Sequence, residues 1–147
     1  MTVEAELPDF LQRADRLRDP ALIYGAGVDA EAVLGTMERL YAPRPILTLR
    51  ATGLIEPTDE EITESFRNSF EAHGVLAVLI GERVPKPLAR LLERVVKDGR
   101  MPDPRAATPQ DLQPPAEWRV VAIARLPQTT ALPHDFLELF PAVLAVG

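Results

Sequence analysis

The chain contains no cysteine. Disulfides, thiolate nucleophiles and zinc–sulfur centres are excluded together. Lysine is nearly missing as well: Lys86 and Lys97 stand against 14 arginines, and no lysine precedes position 86. Abundant arginine, alanine and proline read as a GC-rich coding bias. Histidine is limited to His73 and His134, with no metal-ligand spacing. Positive charge is short overall. A net charge of -6 and a pI near 4.9 argue against a nucleic-acid footprint, which needs a clustered basic face. No apolar run approaches the length of a membrane span and no secretory signal opens the chain, so a cytoplasmic protein with neither nucleic-acid nor membrane partners is expected.

What is present suits one buried core: 147 residues, 46% of them hydrophobic, predict a single domain. Phe10, Leu11, Ala14 and Leu17 share one face of a helix starting at Asp9 and ended by Pro20. Ala21-Leu22-Ile23-Tyr24 reads as a buried strand entering the turn Gly25-Ala26-Gly27. A second helix follows over 29–41, with Val33, Leu34, Met37, Leu40 and Tyr41 at helical spacing. Ile46 to Leu49 is a short strand. Thr58 with Glu61 forms a capping-box pattern ahead of Ile62, Phe66 and Phe70.

Six apolar residues in a row, Val75 to Ile80, mark a strand buried on both faces. Pro87 opens a helix with Leu88, Leu91, Leu92, Val95 and Val96 inward, and Gly99 stands at its C-terminal cap. The proline-rich stretch 101–117 reads as a surface loop. Strands are expected at 119–124 and 142–146. Strands alternating with helical patterns predict an α/β fold, with a mostly parallel sheet between helical layers.

A glycine turn between a buried strand and a helix is where a phosphate-binding loop would sit. Such a loop needs a lysine on the β/γ-phosphates and a Ser/Thr hydroxyl on Mg²⁺. Here Val28, Asp29, Ala30 and Glu31 occupy the turn and helix start, placing acidic charge where phosphate would be attracted. Gly25 and Gly27 could cradle a phosphate through backbone amides, but a plain strand-to-helix turn explains them better.

The order of segments resembles the AAA+ ATPase core of sigma-54-dependent (NtrC-like) transcription activators. "DPALIYGAG" is similar to that family's first strand and Walker A entry, and "RPILTLRATGL" to its second strand. "FEAHGVLAVLIGERVPKPLARLLERVVKDGRM" resembles the stretch through Walker B to the following helix. "WRVVAIARLP" is similar to the sensor-1 strand and "LPHDFLELFPAVLAVG" to the segment entering the fifth strand. The resemblance covers residues 15–147 and implies a three-layer P-loop NTPase domain with five strands. An N-terminal helix over 1–19 and a core over 20–147 are expected, without lid, receiver or DNA-binding domain.

Each functional motif departs from the family pattern. The Walker A lysine falls at Ala30 or Glu31, depending on one gap. In an ungapped register the Walker B Asp and Glu become Leu79 and Ile80; a two-residue shift gives Gly81 and Glu82. Without the Asp there is no Mg²⁺ ligand, and without the Glu nothing polarises the attacking water. The sensor-1 position is Arg125, and the arginine-finger region falls near Glu138. Residues 52–73 are too few for the GAFTGA loop that meets sigma-54. The resemblance therefore implies a degenerate ATPase with no catalytic residue and no required cofactor.

Other candidates have structural alternatives. His73 lacks a nucleophile elbow near Ser65 or Ser69 and reads as a strand-entry residue. His134 reads as a helix-start residue. Asp59, Glu60, Glu61 and Glu64 suit a helix first turn better than a metal cluster. Trp118 is either a partner anchor or core packing. The apolar run Phe136, Leu137, Leu139, Phe140, Val143, Leu144 and Val146 is either an interface or the closure of the domain's own core.

The leading expectation is a non-catalytic regulatory module acting through a protein partner or self-association, in a transcription-regulation setting. Alternatives are a sensor that holds ATP or ADP on residues 25–29 without turnover, and a small hydrolase using Glu82 as base.

Overall fold

A computed structural model describes residues 3–53, 55–81, 83–103, 105–126 and 132–147, without the side chains of residues 3–5. The elements in chain order are α1 (Val3–Leu17), β1 (Ala21–Tyr24), α2 (Ala30–Tyr41), β2 (Ile46–Ala51), α3 (Asp59–Glu71) and β3 (Val75–Ile80). They continue as α4 (Lys86–Asp98), β4 (Met101–Pro102), β5 (Asp111–Leu112), β6 (Arg119–Ala124), α5 (His134–Leu137) and β7 (Ala142–Ala145). Five strands form one sheet in the order β2-β3-β6-β1-β7, and every neighbouring pair is parallel. This is the expected α/β sandwich of helices around a parallel sheet.

Parallel strands buried on both faces lack polar alternation, and β3 is buried at all six positions. Its even and odd residues feed different cores. Leu76, Val78 and Ile80 join Phe66, Phe70, Leu88, Leu92 and Phe136 beneath α3, α4 and α5. Val75, Ala77 and Leu79 join Leu11, Val33, Met37 and Tyr41 beneath α1 and α2.

Local signals place the helix ends. Thr58 and Glu61 complete the capping box at α3, and Gly99 takes the left-handed conformation (φ 68°) that closes α4. Three expectations need correction. The first helix begins at Val3, six residues before Asp9, and carries Pro8 inside it. One proline near a helix start removes a single hydrogen bond, which the packing of Leu7 and Leu11 offsets. Leu17, assigned to the buried face, is 55% exposed because the helix ends there. The stretch 101–117 contains the short β4–β5 antiparallel pair and buries Met101 completely, so it is more than a surface loop.

The open alternatives for the apolar side chains are resolved by burial. Trp118 packs edge-on to Phe70 (5.1 Å between ring centres), and its indole N–H donates to Ser69 Oγ at 2.8 Å, so it is core. Phe136, Leu139, Phe140 and Val146 are buried and close the domain's own core, while Val143 stays 46% exposed.

At the edge where the strands begin, one carboxylate ties three distant segments together. Asp15 of α1 accepts two bonds from Arg44 (2.9 and 2.7 Å) and lies 2.9 Å from Arg119 Nε. Arg44 also donates to the Glu117 carbonyl at 2.8 Å. Burial alone would raise the Asp15 pKa, but the two guanidiniums outweigh it and hold the carboxyl below its ordinary value. Burial, followed by the Asp15 charge, pushes the neighbouring Tyr41 phenol well upward.

A cleft at the carboxyl edge of the sheet

In a parallel sheet all strands end on one edge, and ligand sites of open α/β folds lie beyond that edge. Here the ends of β1, β3 and β6 bound a cleft of about 430 Å³. Its wall is the turn from Ala26 to Ala30; its floor is Leu79 and Ile80 of β3 with Ile123 of β6; its rim is Thr52 and Arg125. The Walker A, Walker B and sensor-1 positions assigned from sequence therefore converge in space. Glu82 lies outside the described residues. Thr52 and Ile123 were not singled out in the sequence, although the register of β6 on β3, which sets Ile123 opposite Leu79, is the geometry that brings Ile123 in.

Local hydrogen bonding already occupies much of the turn. Gly25 N–H donates to the Ala124 carbonyl at 3.1 Å, and Val28 N–H reaches back to the Gly25 carbonyl at 3.3 Å. Asp29 is the N-cap of α2. Its carboxylate accepts from Glu31 N–H at 3.1 Å and from Ala32 N–H at 3.3 Å. These are first-turn donors with no partner inside the helix. An anion placed by the chain itself thus sits where a helix N-terminus would receive a phosphate. Glu31 turns to Arg50 at 3.4 Å in an exposed pair.

The glycines have a packing explanation. Gly25 has φ +144°, and a Cβ there would stand 1.7 Å from the Val146 carbonyl oxygen. A Cβ on Gly27 would stand 2.1 Å from the oxygen of Gly147. The backbone after β7 lies on the turn, fixed by a 2.7 Å bond from Val146 N–H to the Tyr24 carbonyl. Glycine is required at both positions by that close approach, and at Gly25 by its φ as well.

Residues outside the cleft fall into structural roles. His73 stands at the α3–β3 turn with φ +51° and bonds the Glu117 carboxylate, which that contact holds below its ordinary pKa. His134 opens α5 and pairs with Glu138 at 2.9 Å. Asp59, Glu60 and Glu61 form the first turn of α3, and Glu64 pairs with Arg105 and Arg67. Among the described residues no cluster of three or more His, Asp or Glu could hold a metal, and no helix is long and apolar enough to cross a membrane.

Solved structures share this fold. A P216G variant of RuvB from Thermotoga maritima superposes with a TM-score of 0.69 at 16% identity, over 100% of this chain and 47% of that one. NtrX from Brucella abortus, in complex with ADP, gives 0.70 at 14% identity, over 97% of this chain and 35% of its own. The chain has the fold of an AAA+ ATPase core. It spans between about a third and a half of the length of those two proteins. No protein-family model matches the chain, and no curated protein does either.

Proposed function

We propose that this AAA+-like chain is a non-catalytic module of the sigma-54 activator type, acting through contacts with a protein partner or another copy of itself in transcription regulation. The observation that carries the reading is Asp29: its carboxylate accepts the α2 amides that a nucleotide phosphate would need. A phosphate approaching them would meet a fixed negative charge and displace two hydrogen bonds.

The rest of the cleft supports the same reading. Its lining has Ala30 and the neighbouring Glu31 where a lysine would neutralise phosphate, and the apolar Leu79 and Ile80 where carboxylates would hold Mg²⁺ and orient water. This donor set does not suit a Mg-nucleotide.

Calorimetric titration with Mg-ATP and Mg-ADP at low millimolar concentration is the test. We expect no saturable heat, no shift in melting temperature and no phosphate release. Ala30→Lys and Glu31→Lys should stay inactive, since the acids at 79 and 80 would still be missing. Saturable binding by the unmodified chain would overturn the reading in favour of a nucleotide sensor. One observation favours that second reading: a cleft within the usual ligand-site range retains the cation Arg125 on its rim. Turnover lost in Glu82→Ala would instead establish a hydrolase.

A further inference from the structure

Charge on the surface is distributed unevenly. The whole chain carries -6, yet residues 83–100 hold six Arg or Lys against two Asp or Glu, a local +4. Lys86, Arg90, Arg94 and Lys97 recur at three- and four-residue spacing, which sets them along one side of α4. The acidic total averages over this basic face. Some of its charge is answered locally: Lys97 pairs with Glu93 and Arg100 with Asp111. Arg90 and Arg94 have no ion-pair partner among the described residues, and both are exposed.

These two guanidiniums border a groove of about 610 Å³ between α3 and α4. Its apolar surface comes from Ile62, Pro87, Leu91 and Pro102. Ile62 is 1% exposed, so it forms a floor, while Pro87 and Leu91 are only half-buried. Asp59 and Thr63 complete the opposite wall. The groove lies between α3 and α4, whereas the 25–31 turn leads into α2 and its cleft has a separate lining.

We infer that this groove docks an acidic amphipathic helix of a protein partner. Charge complementarity selects the occupant. Arg90 and Arg94 stand one helical turn apart, about 6 Å along the axis, a spacing that carboxylates at i and i+4 of a partner helix reproduce. An apolar side chain between those carboxylates covers Leu91 and Pro87, the helix-in-groove mode of recognition. A nucleic acid suits the site less well: its phosphates would run across the apolar floor to Asp59, whereas an amphipathic helix can keep its carboxylates on the α4 side and turn its apolar face to the floor. The inference rests on the protein-contact reading and names its surface.

Selection of a phage-displayed library of random 16-residue peptides on the immobilised chain tests it. Enriched peptides are expected to carry Asp or Glu at i and i+4 beside Leu or Phe. A synthetic copy of the best one should lose at least tenfold in affinity against R90E/R94E and less against R90Q/R94Q. The charge-reversed chain should enrich basic peptides in place of acidic ones. Both arginines are exposed, so thermal melting should match the parent chain.

Failure to enrich, enrichment of peptides lacking acid, or equal binding to R90E/R94E would overturn the groove. So would tight binding of a labelled 20-nucleotide single strand at physiological salt that disappears in R90E/R94E, which would assign the face to nucleic acid. The substitutions leave the cleft at the sheet edge untouched. Nucleotide titration of the same variants therefore tells a failed groove from a failed protein-contact reading.

Discussion

Asp29 shows how much one side chain can decide. As the α2 N-cap it satisfies two orphan amides, and Asp29→Ala should cost about 1 kcal/mol in chemical denaturation. The loss should be partly recovered by inorganic phosphate relative to chloride at equal ionic strength, because the freed amides again accept an anion. The parent chain should show a smaller difference between the two salts. Recovery absent from the variant would mean that the amides, once uncapped, do not form an anion site. Gly25 sets the opposite kind of limit. Gly25→Ala combines a disfavoured φ with a Cβ inside the Val146 carbonyl, and should cost about 2–3 kcal/mol. Calorimetric melting checks this; a neutral outcome would show that the segment after β7 can lift away from the turn.

Between elements, the Asp15 cluster holds α1 against the start of β6. Asp15→Asn should cost about 1–3 kcal/mol at neutral pH. The sign of its pH dependence follows from the depressed carboxyl. A folded pKa below the unfolded value of about 3.9 gives stability that is fully present above about pH 4 and is lost as pH falls through the folded value. The gap between parent and Asp15→Asn, measured by denaturation at pH 7 and pH 3, should therefore narrow in acid. A gap independent of pH would locate the effect in packing.

Most elements were legible because their signals are local: the capping box of Thr58 and Glu61, the αL glycine at Gly99 and the unbroken apolar run of β3. Residue 15 meeting residues 44 and 119 was not legible, since no local pattern encodes such a contact. The same division holds at the cleft. The turn, Leu79, Ile80 and Arg125 were placed by their order along the chain, whereas the cap at Asp29 and the backbone lying on Gly25 required coordinates. The basic side of α4 is not legible for another reason: a chain-wide charge of -6 averages over it.

At the scale of the molecule, the sheet's connectivity governs the order in which the chain can assemble. Ala21 of β1 aligns with Val121 on one side and Ala142 on the other. The first strand made is thus the last to be enclosed. On a ribosome adding about 5–20 residues per second, β1 waits roughly 5–25 seconds for its neighbours to emerge. Throughout that interval Ala-Leu-Ile-Tyr, three of whose residues are fully buried in the finished fold, is an unpaired apolar segment. Newly made chains are therefore exposed to aggregation, and dependent on chaperones, through a strand that the native state pairs on both sides.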